Sequence, residues 1–210
     1  IDEGQDFSYR LVEALRLHAA LAEGSFYVFY DNEQAVNTSG TVRQGAESAL
    51  RWCQQEAPCR LFLGRNLRNT KCIAQSAGQL VHRPARLHEA LPEGEPPRLH
   101  LADGKTRLAR LKALLKDLLA RHRPDDIAVL SVRGKEDMWL KPGALADLGK
   151  GAAGICIDTV RRFKGLEAAA VVLVDVQPEK ILRQAPELSR SLFYVGATRA
   201  RQELHVLAEA

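Results

Sequence analysis

Three short apolar runs, Ile127 to Val132, Ile155 to Ile157 and Ala169 to Val176, constrain this chain more than any other feature. None alternates with polar residues, so each suits a strand buried on both faces, the environment of a parallel sheet covered by helices. Helical patterns lie among them. Leu108, Leu111, Leu114, Leu115, Leu118 and Leu119 draw one stripe on a helix ending near His122. Thr70 to His82 reads as a helix with Asn69 or Thr70 as its cap, and Tyr9 to Leu21 as another with Leu11, Val12, Leu15 and Ala19 on one face. Further helices are expected over 41–53 and 192–201, and strands at Ser25 to Tyr30, Arg60 to Leu63, Leu99 to Ala102 and Leu204 to Leu207. The four prolines Pro84, Pro92, Pro96 and Pro97 make residues 84–97 an irregular surface crossing. The alternation predicts an α/β fold, a mainly parallel sheet with helices on both faces.

Composition supports a folded chain and says little else. With 210 residues, 46% hydrophobic and 27% charged, a sizeable core can form, and a disordered tail, a collagen-like rod and a disulfide-knot miniprotein are excluded. A net charge of +4 leans only slightly toward anionic partners. Cys53, Cys59, Cys72 and Cys156 form no C-x-x-C pair, so neither zinc nor a disulfide framework is indicated, and reduced buried thiols are expected. No apolar run is long enough to cross a bilayer, no basic-then-apolar leader opens the chain, and a cytoplasmic location is expected.

Two stretches imitate a phosphate-binding loop of the form G-x-x-x-x-G-K-[ST], whose backbone N–H groups wrap phosphates. Asp103-Gly104-Lys105-Thr106 has Leu99 where the first glycine belongs, and Asp103 reads better as a helix cap. Gly143 to Gly149 encloses five residues rather than four, and Gly151 after Lys150 has no hydroxyl. The opening Asp2-Glu3-Gly4-Gln5-Asp6 has the form of an acidic strand end, where one carboxylate holds magnesium and the next handles the attacking water.

Four further segments follow in order: Phe29-Tyr30-Asp31-Asn32-Glu33-Gln34, Leu63-Gly64-Arg65-Asn66-Leu67-Arg68-Asn69-Thr70, Asp158-Thr159-Val160-Arg161-Arg162-Phe163-Lys164-Gly165-Leu166-Glu167 and Leu192-Phe193-Tyr194-Val195-Gly196-Ala197-Thr198-Arg199-Ala200-Arg201. With the acidic cluster these resemble motifs II to VI of UvrD/Rep-like superfamily 1 DNA helicases, in the family's order, from Ile1 to about Leu207. The F-K-G-L-E and Y-V-G-A-T-R-A-R strings are the most specific.

The resemblance implies a RecA-like P-loop NTPase fold and an ATP-dependent 3′-to-5′ helicase or translocase using ATP and Mg2+ on single-stranded or partly duplex DNA without regard to sequence. It makes Asp2 the magnesium-binding acid, Glu3 the catalytic acid and Gln34 the γ-phosphate sensor. Arg68 and Arg199 resemble the arginines presented across the ATP cleft, a role suited to a permanently charged fork. Glu167 resembles the acid that bonds the nucleotide ribose, with Gly165 permitting the turn beside it. Asn66, Thr159, Arg161 and Arg162 resemble DNA-backbone contacts, which position a strand without reading bases. The family commonly has histidine in place of Arg161 and tyrosine in place of Leu67.

The resemblance divides the chain into 1–55, the tail of a first RecA-like domain with motifs II and III, and 56–210, a second RecA-like domain with motifs IV to VI. The nucleotide loop of the family precedes motif II, so the chain reads as a C-terminal piece, inactive without its ATPase lobe. About 85 residues lie between Thr70 and Ile155, too few for a large helical insertion. A non-catalytic nucleic-acid-binding module with a helicase-like fold is the main rival. It has no need of Asp2, Glu3, Gln34, Arg68, Glu167 and Arg199 together. A metal-dependent nuclease built on Asp2, Glu3 and Asp6 lacks a matching lysine motif.

Overall fold

The structure is a computed structural model describing residues 1–31, 34, 49–82, 84–141, 143–177 and 187–210. It divides into two compact units, Ile1–Gly64 and Arg65–Ala210. The division expected after residue 55 falls before the extended stretch that ends at Gly64.

In the second unit the apolar runs become the middle of one sheet. Its strands are β1 (Arg98–Ala102), β2 (Ile127–Ser131), β3 (Cys156–Thr159), β4 (Ala168–Val176) and β5 (Ala200–Glu209), in spatial order β1-β5-β4-β2-β3. Every neighbouring pair is parallel, as the unalternating pattern requires. Register sets two ends apart. Ser131 lies beside Thr159 and Val174 at the carboxyl ends, while Ala168 lies beside Ala200 at the amino ends.

Helices α2 (Lys71–Leu80), α3 (Arg107–Leu119) and α4 (Glu187–Ala197) cover the sheet. Leu111, Leu114, Leu115 and Leu118 of α3 pack on Ile127, Val129, Ala170, Val172 and Val174, and Met138 and Leu140 complete that core. Each fully buried leucine contributes about 1.5–3 kcal/mol, so this stripe dominates the stability of the face. The opposite parity of β4 meets α4: a Cβ on Gly196 would lie 2.7 Å from Leu173 Cδ2 and 2.9 Å from Val160 Cγ2, so only glycine allows this approach. Helices therefore cover both faces.

The cap position of α3 falls on Thr106, without a side-chain cap bond, and Asp103, expected as the cap, instead closes the turn ahead of the helix. Its Oδ1 accepts the Thr106 hydroxyl and N–H (both 2.8 Å) and the Lys105 N–H (2.9 Å), and these bonds, the hydroxyl's first, lower its pKa. A loop closed this way on its own carboxylate leaves those N–H groups no phosphate to cradle.

In the first unit α1 (Tyr9–Leu21) begins at Ser8, whose Oγ accepts the Leu11 N–H. Of its expected apolar face only Val12 is buried, and it joins a small core with Ala49, Trp52 and Cys53, against which Phe26, Val28 and Tyr30 also pack. The helix expected over 41–53 appears as Ala49–Arg51 followed by a π turn over Trp52–Glu56, and 41–48 lie outside the described residues.

Ser25 to Tyr30 is extended but joins no named strand. It runs beside the first residues, with Phe29 N–H on Ile1 O (2.9 Å) and Gly4 N–H on Phe29 O (2.8 Å). Arg60 to Leu63 is likewise no strand; it has no ladder partner among the described residues, and Leu61, Phe62 and Leu63 are exposed. Of the cysteines, all free, only Cys53 is buried. Among the described residues no helix is long and apolar enough to cross a membrane.

Candidate nucleotide and nucleic-acid site

The sequence pattern carries the last helix through Arg201, but α4 ends at Ala197 and β5 begins at Ala200. Arg199 therefore stands in a tight connection rather than on a helix face, and it is 1% exposed. Its Nε donates to Val195 O (3.1 Å), its Nη1 to Leu166 O (3.4 Å) and its Nη2 to Thr198 Oγ1 (3.5 Å).

The loop before α2 meets this connection. Asn66 Oδ1 accepts the N–H groups of Arg68 (3.0 Å) and Asn69 (3.1 Å), and Asn66 Nδ2 donates to Asn69 Oδ1 (2.9 Å). The side chain expected at the DNA thus spends both ends of its amide inside the loop of Arg68. Asn69, one of two expected caps, turns away from its helix and donates to Thr198 O (3.0 Å) and Ala200 O (2.6 Å). Thr70 takes the cap position, without a side-chain cap bond.

Above these buried groups lies an open charged cluster. Arg68 Nε is 3.1 Å from Glu167 Oε2, and Glu167 Oε1 is 3.6 Å from Arg201 Nη1. Arg201 also reaches Asp126 at 3.6 Å, and its Nε is buried without a partner. Three of the expected nucleotide residues, Arg68, Glu167 and Arg199, are thereby gathered at the amino ends of β4 and β5. Sequence reasoning missed Asn69 and passed over Arg201; the bonds of Asn69 span 129 and 131 residues, so no local pattern announces them.

At the opposite strand ends, Thr159 is buried and closes a turn: its Oγ1 accepts the Arg162 N–H (3.3 Å) and its carbonyl the Phe163 N–H (3.0 Å). Arg162 is largely exposed, with Asp158 at 3.5 Å, and Arg161 is half-buried. Gly165, at φ 83°, takes a left-handed conformation as the chain returns to β4.

The first unit joins its own motif residues. Gln5, 1% exposed, donates to Glu3 Oε2 and accepts the Asp31 N–H (3.0 Å), and Asp31 Oδ2 accepts from Gln34 Nε2 (3.0 Å). Glu3, at φ 53°, is left-handed. Asp2 is exposed, with one carboxylate oxygen on the Glu3 N–H. No group of three metal-ligating side chains occurs among the described residues. Mg2+ commonly takes one or two carboxylates and completes its shell with water and phosphate oxygens, so an exposed Asp2 fits as one ligand.

Residues 154–207 match the family of UvrD-like helicase C-terminal domains. The match runs from the residues before β3 through the turn after it, β4, α4 and most of β5, so the carboxyl end of β3 and the amino ends of β4 and β5 fall inside it, while β1, β2 and the Asn66 loop do not. A comparison with curated proteins gives no match.

Proposed function

We propose that the chain is the C-terminal part of an ATP-dependent 3′-to-5′ DNA helicase or translocase. The observation that carries this reading is the convergence of Arg68, Glu167 and the Arg199 connection at one end of the sheet, from three segments far apart in sequence. When bound, ATP with Mg2+ supplies the phosphoanhydride whose cleavage drives a motor. Arg68 and Arg199 stabilise charge on phosphate oxygens, because a guanidinium is permanently ionised and forks over two acceptors. Glu167 accepts from ribose hydroxyls. In the first unit Asp2 holds Mg2+, Glu3 takes the proton of the attacking water, and Gln34 senses the terminal phosphate through an amide that both donates and accepts. Thr159, Arg161 and Arg162 touch the backbone of single-stranded DNA without reading bases. Asn66 is assigned instead to holding the Arg68 loop.

The test is ATP hydrolysis by the full-length protein with and without single-stranded DNA, beside the 210-residue chain alone. We expect DNA-stimulated hydrolysis by the former, abolished by Glu3→Gln, and none by the latter, which has no G-x-x-x-x-G-K-[ST] loop. DNA binding without hydrolysis by the full-length protein would establish the binding-module rival.

A further inference from the structure

The connection holding Arg199 is fastened at four consecutive carbonyls. Thr198 O and Ala200 O accept from Asn69 Nδ2 (3.0 and 2.6 Å), Arg199 O accepts from Ala168 N–H (3.0 Å), and Arg201 O accepts from Thr70 N–H (3.2 Å). Register explains why outside donors are needed. Strand β1 first meets β5 at Arg98 beside His205, so the opening residues of β5 have no β1 neighbour to bond them. The Asn69–Thr70 loop occupies that edge.

An asparagine suits the task. Its amide nitrogen has two hydrogens, and both partners are carbonyl oxygens that can only accept, so the orientation of the amide is dictated by its surroundings. Its oxygen is held by Asn66 Nδ2, and the residue is 1% exposed. Asn66 also bonds the N–H of Arg68, so one pair of amides ties the Arg68 loop to both sides of Arg199. No other side chain described here bonds both flanking carbonyls.

We propose that Asn69 is a positioning residue that locks the backbone of the Arg199 connection to the Arg68 loop, so that the two arginines reach a nucleotide's phosphates from fixed backbone positions. This rests on the reading of both arginines given above. Asn69 touches no phosphate itself; it acts through the backbone of Arg199. Misplacing a transition-state group by about 1 Å costs about 100-fold in rate, whereas binding of the ground-state nucleotide is affected far less.

The experiment uses the full-length protein with Asn69→Asp, Asn69→Ser and Arg199→Ala. It measures kcat and KM for DNA-stimulated ATP hydrolysis and the affinities for ADP and for ADP–aluminium fluoride, a mimic of the transferring phosphoryl group. Asn69→Asp keeps the shape, removes both donors and sets a carboxylate against two carbonyls. We expect kcat and ADP–aluminium fluoride affinity to fall about 100-fold, with KM and ADP affinity nearly unchanged. Asn69→Ser, which keeps a neutral donor one bond short of the carbonyls and sets no carboxylate against them, should lie between, and it replaces Asn69→Asp if that variant fails to fold. A folded variant with normal kcat, or one losing ADP affinity in step with kcat, overturns the proposal and leaves Asn69 a purely structural residue. Normal kcat in Arg199→Ala would instead overturn the underlying reading. A loss there with none in the Asn69 variants overturns the clamp alone.

Discussion

The two ends of the sheet in the second unit are built differently. At the amino ends of β4 and β5, Asn69 and Arg199 are buried and bonded to main-chain carbonyls. At the carboxyl end of β3 the basic pair stands on a turn, and Arg162 has an ion pair of 3.5 Å at 59% side-chain exposure. An exposed pair of this kind is worth about 0–1 kcal/mol, whereas orphaning one buried carbonyl costs about 1–3 kcal/mol. Under the function proposed above, the contrast matches two demands that a motor would make. A group acting on a transition state gains from being fixed beforehand, while groups gripping a polymer that slides past must let go of it.

The largest expected effect would break this comparison outright if it failed. In the full-length protein Arg199→Ala should lower kcat for ATP hydrolysis by about 10³-fold or more while ATP affinity changes modestly. A normal kcat in steady-state kinetics would remove the reason for the buried connection. Next, Arg161→Ala with Arg162→Ala should weaken single-strand binding about 10-fold and flatten its salt slope by about 1.4, the value for two backbone phosphates. Titrations at several salt concentrations on two unrelated sequences check this; loss on one sequence only would mean base reading.

Acid should sharpen the contrast by attacking the middle of β5 and sparing the connection. Glu203 is partly desolvated, yet hydrogen bonds from Arg121, His122 and His205 bring its pKa down to about 2. His205, buried and stacked on His100, is lowered chiefly by desolvation, and His100 by desolvation and then by the charge of His205. All three are depressed in the folded state. Their contributions are therefore complete above the ordinary values of 6.5 for the histidines and 4.5 for Glu203, and are lost as pH falls below them. Thermal melts of the 210-residue chain should be flat above neutrality and decline in two stages on acidification, with about 2–4 °C lost per kcal/mol. Glu203→Gln should remove the lower stage. The smallest effect is local: Asp103→Ala should cost about 1 kcal/mol in denaturant melts through the loss of the bonds that close the turn ahead of α3, without altering hydrolysis.

These regions were unequally legible. Strands β2 and β4 are written as apolar runs because both their faces are covered, and α3 is written as a leucine stripe because a single sheet face receives it. The start of β5 is hidden. Arg201, Gln202 and Glu203 are polar because that stretch precedes its β1 neighbour, so the sequence pattern starts the strand at Leu204 and puts Arg199 on a helix. Ser25 to Tyr30 alternates as a strand should, with Phe26, Val28 and Tyr30 against the small core, but it meets only a few backbone partners. The Arg68, Glu167 and Arg199 strings were readable one by one. Their meeting was not, since it depends on an amide reaching across the fold.

The place of β5 governs how such a chain must be made. The strand comes after the other four in sequence order yet lies between β1 and β4, and among the described residues β1 pairs with no other strand. A nascent chain cannot complete this sheet by adding strands outward. At about 5–20 residues per second, β1 waits roughly 5–20 s after synthesis for its partner to emerge. Once β4 has been made it also carries an open ladder on one side until β5 follows, and unsatisfied parallel edges invite pairing with other chains. Chaperone demand during translation should therefore follow strand order, and a chain that stops short of Ala200 has its sheet split into two parts.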